Sequence, residues 1–321
     1  MKKALLALAL LVVAADEGVM PQTLQHIKIL CLLGIKRVVL ALNKSDLAST
    51  EQIEKCRLDA AAVLSNYGME IAAAVPVCAT SGDNIEILKT ALGKIAAEEL
   101  DKNPPANNQA VYLPIDRVFS KSGYGKVITG TLVSGHLKNG DNIFVEPGHK
   151  PCRVRGLETF GQKLSAADAG QRLAVNLSFK DESELSRGLV LTSQQLPAVN
   201  TLIVTVEDLG GLEYFGEFEE YKVKHRLTPQ KVKVYHGTSE SAGYLRWLES
   251  GFGQISLDTG VHMSARLGDR YVLRYGDHGI AGGEILALER PGFLSRQELM
   301  PLARLLADRD YQSALQRLLD I

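Results

Sequence analysis

The chain of 321 residues is defined first by what it has little of. Four cysteines, Cys31, Cys56, Cys78 and Cys152, stand far apart with no CxxC pair. That spacing excludes a disulfide scaffold and a zinc site, and fits a reducing compartment where each thiol is a small buried hydrophobe. The seven histidines (His26, His136, His149, His225, His236, His262, His278) show no metal-ligand spacing either. Excess charge is missing: 36 Lys plus Arg face 37 Asp plus Glu, so nucleic acid is not coated by bulk charge and any such contact is a local patch. There is no internal repeat and no low-complexity tract. The longest apolar run, Ala4 to Val13, is too short for a membrane span. Lys2 and Lys3 before it and Ala14 and Ala15 after it have the look of a secretory signal, and a strand buried in a parallel sheet has the same composition. No G-x-x-x-x-G-K-[ST] occurs, so no loop is present to cradle phosphates or place a hydroxyl on Mg²⁺. What remains is an ordinary globular composition with length for two or three domains.

The periodicity of the first hundred residues alternates strand and helix. Pro21 to Leu33 carries an apolar helical face closed by Gly34. Lys36 to Leu42 is a β-branched run that ends in Asn43-Lys44-Ser45-Asp46. Ser49-x-x-Gln52 is a capping box opening a helix to about Tyr67, stopped by Gly68. Ile71 to Val77 reads as a strand, followed by the loop Cys78 to Asn84 and a helix through Ile85, Leu88, Leu92 and Ile95. This order predicts an α/β unit with a parallel sheet over residues 1–103. The polar, Pro-bearing stretch Asp101 to Ala110 reads as a linker. Short strands divided by turns such as Asn139-Gly140-Asp141 then predict an all-β barrel over 111–195 and a second over 200–290. Within the latter, six acids between 207 and 220 give way to a run of cations from Lys222 to Lys233, a pattern of solvated loop and strand. Ser295-Arg296-Gln297-Glu298 is a capping box that opens a short helical region over 291–321.

Asn43-Lys44-Ser45-Asp46 at the C-terminal end of a parallel strand is where open α/β sheets bind ligands. The Asp46 carboxylate accepts two parallel hydrogen bonds from guanine N1–H and the exocyclic amine, a pattern adenine lacks. Asn43 holds the loop and the purine N7 edge, and the Lys44 stem covers the base. The string N-K-x-D alone arises by chance in roughly one chain of this length in twenty-five. Its weight comes from the strand before it and from Cys78-Ala79-Thr80, where the Ala79 N–H is placed to meet guanine O6. Asp116-Arg117 is read as a strand end, with Arg172 in Gly170-Gln171-Arg172. Two guanidinium groups beside a carboxylate suit an anion with one further donor, and equally suit a structural salt bridge. Asp208-Leu209-Gly210-Gly211 matches D-x-x-G and is read as a turn. His236, in Val234-Tyr235-His236-Gly237, reads as a packed or surface strand residue.

Taken together, Ala9 to Thr23, Asn43-Lys44-Ser45-Asp46, Ile115 to Ser120, Gly125 to Thr131, Gly170-Gln171-Arg172, Val234 to Gly237 and Gly282 to Leu286 resemble the translational GTPases, and among them the selenocysteine-specific elongation factors. The resemblance covers essentially the whole chain and implies truncation at both ends. It implies a partial GTP-binding domain whose N-terminal apolar run is an interior strand, two barrels, and the start of a winged-helix region. Guanine binding carries over to Asn43, Lys44, Asp46 and Ala79. An aminoacyl pocket for selenocysteine carries over to Asp116, Arg117 and Arg172. The family uses GTP or GDP with Mg²⁺ and hydrolyses GTP. No catalytic or metal residue carries over, because the phosphate loop, the switch regions and the D-x-P-G-H segment are missing here. The implied partners are selenocysteyl-tRNA, the ribosome and, through a further C-terminal region, a messenger-RNA element, all in the cytoplasm and with no membrane. The alternatives are a general aminoacyl-tRNA elongation factor, an initiation-factor subunit, a non-enzymatic RNA-binding β module with a decayed nucleotide domain, and a secreted β protein.

Overall fold

The structure, a computed structural model, describes residues 8–121, 125–179, 185–209, 229–276, 279–288 and 296–319. They fall into two compact units, Met1–Pro105 and Ala106–Ile321. The first unit runs β1 (Leu8–Ala14), α1 (Pro21–Leu32), β2 (Arg37–Asn43), a 3₁₀ turn (Ser45–Leu47), α2 (Thr50–Asn66), β3 (Glu70–Pro76) and α3 (Ile85–Lys102). The three strands are parallel in the order β1-β2-β3. Central β2 is apolar on both faces because both are covered. Val38, Leu40 and Leu42 share a core with Ile27 of α1 and Ala60 and Leu64 of α2, while Val39 and Ala41 pack with Leu88 and Ile95 of α3. The N-terminal apolar run is therefore a strand over the residues described, with Leu11 and Val13 buried and Leu10 and Val12 exposed at the sheet edge. Residues 4–7 of that run lie outside the described residues.

Local signals set the helix boundaries. At the start of α2 the Gln52 backbone N–H donates to Ser49 Oγ and the Ser49 N–H donates to Gln52 Oε1, the capping box in full. Gly34 and Gly68 adopt positive φ after α1 and α2. Helix α3 continues to Lys102, two residues into the stretch read as linker. Tertiary contact accounts for the extension: Arg37 Nη1 lies 2.6 Å from Glu99 Oε1 and 3.2 Å from Glu98, tying the last turns to β2. That guanidinium holds the Glu99 carboxyl below the usual carboxylate range.

The second unit contains two closed barrels. The first uses β4 (Tyr112–Lys121), β5 (Gly125–Thr131), β6 (His136–Lys138), β7 (Asn142–Glu146), β8 (Lys150–Thr159), β9 (Gln162–Leu164), β10 (Ala166–Asp168), β11 (Arg172–Ser178) and β12 (Val190–Thr192). The order β11-β5-β4-β12-β7-β8 closes by pairing β8 back onto β11, giving six antiparallel strands with β9 appended. The second uses β13 (Thr201–Thr205), β14 (Glu207–Asp208), β15 (Gln230–His236), β16 (Ser239–Glu249), β17 (Phe252–Leu257), β18 (Arg270–Tyr275) and β19 (Gly279–Ala287). Its ring, β13-β17-β16-β15-β18-β19, closes through β13 and β19. Each barrel is filled by the inward positions of its strands, such as Leu113, Ile128 and Val175 in one and Val204, Val234 and Leu273 in the other. Helices α4 (Arg296–Ala307) and α5 (Tyr311–Leu319) cover the second barrel, where Leu299, Leu302 and Ala303 meet Ile203, Leu248 and Leu286.

The strands correct two expectations. Asp116 and Arg117 do not end a strand but sit in the middle of β4, at a shift of register in which Ile115 faces Gly130 and Arg117 faces Thr129. One extra residue on β4 makes a bulge there, a device that pairing statistics of the sequence do not display. Asp208 belongs to strand β14 rather than to a turn, and its carboxylate accepts from the Tyr275 hydroxyl at 2.7 Å. Gly210 and Gly211, most of the charge reversal after 207, and Ser295 lie outside the described residues. His236 is a packed strand residue as expected, 6% exposed, with Nε2 3.0 Å from Asp269 Oδ2. Asp269 in turn accepts from the Arg266 backbone, and the Arg266 guanidinium lies 3.6 Å over the Tyr112 ring. Through this chain the two barrels meet, aided by the Thr238 hydroxyl, which donates to the Ile115 carbonyl at 2.7 Å. Among the described residues no helix is long and apolar enough to cross a membrane.

Close approach of strands leaves no room for a side chain at Gly130, where a Cβ would stand 2.3 Å from the Pro114 carbonyl oxygen. Gly130→Ala should lower unfolding stability by about 1–3 kcal/mol through forced displacement of β4. Gly93→Ala in α3, where a Cβ meets nothing within 4 Å, should raise it by about 0.5–1 kcal/mol. Urea midpoints of the two variants check the opposite signs.

Candidate functional site

The C-terminal ends of β1, β2 and β3 bring three loops together. Val77 N–H donates to Leu42 O and Ser45 N–H to Val77 O, which locks the loop after β3 onto the loop after β2. Lys44 takes the left-handed conformation, φ 57°, a rare state for a non-glycine residue and a mark of an over-determined loop. Its ammonium reaches Glu17 at 2.6 Å and Asp16 at 3.7 Å in the loop after β1. The Glu17 hydrogen bond is the main cause holding the Lys44 ammonium above the ordinary lysine range. The stem is thereby stretched across the sheet end. Asn43 Oδ1 accepts from the Ala79 backbone N–H at 3.1 Å, so two of the expected guanine-reading groups are joined directly. Asp46 stands exposed in the 3₁₀ turn.

The loop after β3 is braced from within. Asn84, at φ 59°, donates through Nδ2 to the Pro76 carbonyl at 2.9 Å, and Ser81 Oγ donates to Asp83 at 2.6 Å. The Cys78 sulfur lies 3.1 Å from Thr80 Oγ1. Hydrogen bonds with Ser81 and Thr80 hold this thiol below its ordinary range, opposed by a hydrogen bond to the Asp46 carboxylate. Cys78 therefore links the second loop to Asp46, a role hidden in the sequence because the functional reading rested on the Ala79 backbone. Its signal was present in the hydroxyls at Thr80 and Ser81, which flank the same turn.

In the second unit, the bulge in β4 brings Asp116 to Arg172 at the start of β11, Oδ2 to Nη1 2.6 Å. Thr129, on the strand between them, donates its hydroxyl to Asp116 Oδ1. Arg172 is half exposed and Asp116 largely covered. Arg117 is not drawn into this group. It faces solvent and has no carboxylate partner among the described residues. The trio is thus a carboxylate committed to one guanidinium, with a second guanidinium free beside it. Thr129 entered only as part of Gly125 to Thr131; a hydroxyl on the strand next to that of Arg172 has no one-dimensional signature. Among the described residues no cluster of His, Cys, Asp and Glu can hold a metal ion.

Comparison with known proteins places these elements. Residues 3–102 match the elongation factor Tu GTP binding domain, 125–192 match elongation factor Tu domain 2, and 221–292 match the β-barrel domain of the selenocysteine-specific elongation factor. The chain belongs to the translational GTPases. Within them it is similar to the selenocysteine-specific elongation factors. The factor of that name from Escherichia coli K12 is 32% identical over 94% of this chain and 47% of its own length. The one from Desulfomicrobium baculatum is 41% identical over 58% of this chain and 29% of its own. The crystal structure of a bacterial selenocysteine-specific elongation factor aligns over 98% of this chain and 50% of that one, with TM-score 0.79 and 26% identity. The chain spans about half the length, or less, of these curated relatives.

The Asn43 contact ties the loop after β2 to the loop after β3. Asn43→Ala should release the Ala79 amide, raising its hydrogen-exchange rate by about fivefold for the loss of one hydrogen bond near 1 kcal/mol. Amide exchange by NMR reads this directly, with the β2 core amides unchanged.

Proposed function

We propose that this chain serves as the corresponding half of a selenocysteine-specific elongation factor, binding a guanine nucleotide on its first unit and selenocysteyl-tRNA on its barrels for delivery to the ribosome in the cytoplasm. In this reading residues 1–103 belong to the nucleotide domain, 111–195 and 200–290 are the two barrels, and 291–321 open a helical region. The observation that carries it is the joining of Asp116 to Arg172 across Thr129 with Arg117 left unpaired.

A selenol ionises more readily than a thiol, so at neutral pH the amino-acid side chain presents an anion where cysteine and serine present neutral groups. Guanidinium is the cation suited to such a group, being always charged and forked. Asp116 fixes the direction of Arg172 and offers an acceptor to the substrate's ammonium. Arg117 supplies the uncompensated charge.

The base-reading loops fit guanine. Asp46 is exposed and able to accept from N1–H and the exocyclic amine, Asn43 faces the N7 edge, and the stretched Lys44 stem covers one face of the ring. When bound, the nucleotide supplies the switch between states that the family uses to release its cargo. No residue of this chain is assigned to Mg²⁺ or to hydrolysis, and messenger-RNA recognition is assigned to no residue here.

Arg172→Gln should reduce the preference of the chain for selenocysteyl-tRNA over cysteinyl-tRNA by about tenfold or more, the worth of a lost charge-assisted contact. Filter binding with both tRNAs tests it, and an unchanged ratio would overturn the pocket. With the family's phosphate-binding segment joined ahead of this chain, Asp46→Asn should move nucleotide preference from GDP toward XDP by about 100-fold, because the carbonyl at xanthine position 2 needs a donor. Retained guanine selectivity in equilibrium dialysis would remove Asp46 from its role.

A further inference from the structure

On the wall of the second barrel, β16 and β17 pair so that Tyr244 faces Ser256 and Arg246 faces Gln254. Alternation sends Leu245 and Ile255, the residues between them, into the barrel core. The four side chains therefore stand outward as a two-by-two block. Together with Pro229, just ahead of β15, they line an open cleft of about 450 Å³.

The groups in this cleft have capacities that the fold leaves unused. Gln254 Nε2 donates to Ser256 Oγ at 3.3 Å, while Gln254 Oε1 is buried with no hydrogen-bond partner. A buried acceptor left open costs stability, and native chains rarely keep one without cause. Arg246 is exposed. The two acids of its own strand, Glu240 and Glu249, are held by Lys233 and Arg304, so neither neutralises it. Lys231, also exposed, faces Tyr244 from β15 and adds a second positive charge on this wall. The Tyr244 ring is 43% exposed and offers an apolar face beside the guanidinium.

A ligand that answers all of these carries an anion for the guanidinium fork, an N–H for the orphaned oxygen, and an apolar group for the rings of Tyr244 and Pro229. Arg246 and Gln254 are directly opposite on paired strands, about 5 Å apart at Cβ, so the anion and the N–H must be close together. In the last residue of a polypeptide the carboxylate and the amide N–H share one α-carbon. A phosphodiester offers acceptors alone and would leave Gln254 Oε1 unanswered. We infer that this cleft docks the carboxyl-terminal residue of a protein or peptide: its carboxylate on Arg246, its amide N–H donated to Gln254 Oε1, and an apolar terminal side chain against Tyr244 and Pro229. The site is independent of the guanine and aminoacyl readings, whose residues lie on the first unit and the first barrel.

The test uses the full chain with ¹⁵N-labelled side chains and three probes: N-acetyl-glycyl-leucine, the same compound as its C-terminal amide, and inorganic phosphate. The free acid should shift the Gln254 amide and Arg246 Nε resonances on titration. The amide should bind about tenfold more weakly, the worth of one charge-assisted contact. Arg246→Gln should weaken the acid by about tenfold and remove the difference between acid and amide. Gln254→Leu should weaken the acid by about fivefold, the worth of one neutral hydrogen bond, without lowering the thermal midpoint, because the orphaned acceptor leaves with it; a midpoint that falls would show the amide to be structural and overturn its role. Equal binding of acid and amide would overturn the inference, as would an acid that shifts neither resonance. Phosphate or a short RNA duplex shifting the same resonances with greater affinity than the acid would also overturn it and give the cleft to nucleic acid.

Discussion

Both barrels depend on a closing pair of strands, β8 on β11 and β13 on β19. A twisted antiparallel sheet returns to itself only if its strands bend, and bending takes an extra residue or a missing side chain. The irregularities lie where that requirement falls. Register shifts occur between Asn176 and Leu177 on one closing strand and between Ile203 and Val204 on the other. At Gly130 and Gly283 a Cβ would stand 2.3 and 2.2 Å from a neighbouring carbonyl oxygen. The bulge at Asp116 is one more of these adjustments. In a regular strand of period two, Asp116 and Arg117 point to opposite faces and one of them is lost to the core. With the extra residue, Asp116 reaches across β5 to Arg172 while Arg117 stays at the surface. Chemistry on the outer face is thus a by-product of the geometry that closes the wall.

The first unit solves a different problem. A parallel sheet buries its strands on both faces, and its only wet, ordered ends are the loops. Asn43, Lys44 and Cys78 are all held by contacts to other loops of the same sheet end rather than to the helices. Helix α2 is fixed by its own capping box and α3 by Arg37, apart from the contacts that join the loops at the sheet end.

Sequence reasoning reached those features whose cause is local. Ser49 and Gln52 named the start of α2, Gly34 and Gly68 the ends of α1 and α2, and the run before Asn43 named a buried strand, because each signal is contained in a few consecutive residues. It also singled out Asp116 and Arg172, through resemblance rather than periodicity, and the structure joins the two side chains directly. What it missed has a non-local cause. The place of Asp116 in mid-strand depends on which residue of β5 it faces, and the length of α3 depends on Arg37, more than 60 residues earlier. Neither partner is visible from the segment itself. The apolar run at the N-terminus was ambiguous for the same reason: a signal and a covered strand differ only in what packs on them, and Ile27, Ala60 and Leu64 supply the answer.

Five non-glycine residues among those described hold positive φ: Lys44, Asn84, His149, Phe160 and Arg309. His149 gains compensation, since its ring stacks on Phe144 and its backbone and ring both bond the buried Glu146 carboxylate. Asn84 tolerates the left-handed region by its short polar side chain and uses it to brace the loop after β3. Lys44 gains two carboxylates. Phe160 gains nothing within the fold. Strain of this kind persists only where the surrounding structure or a ligand offsets it, and β8 and β9 on either side are regular strands that a two-residue Asn-Gly turn would join with less strain.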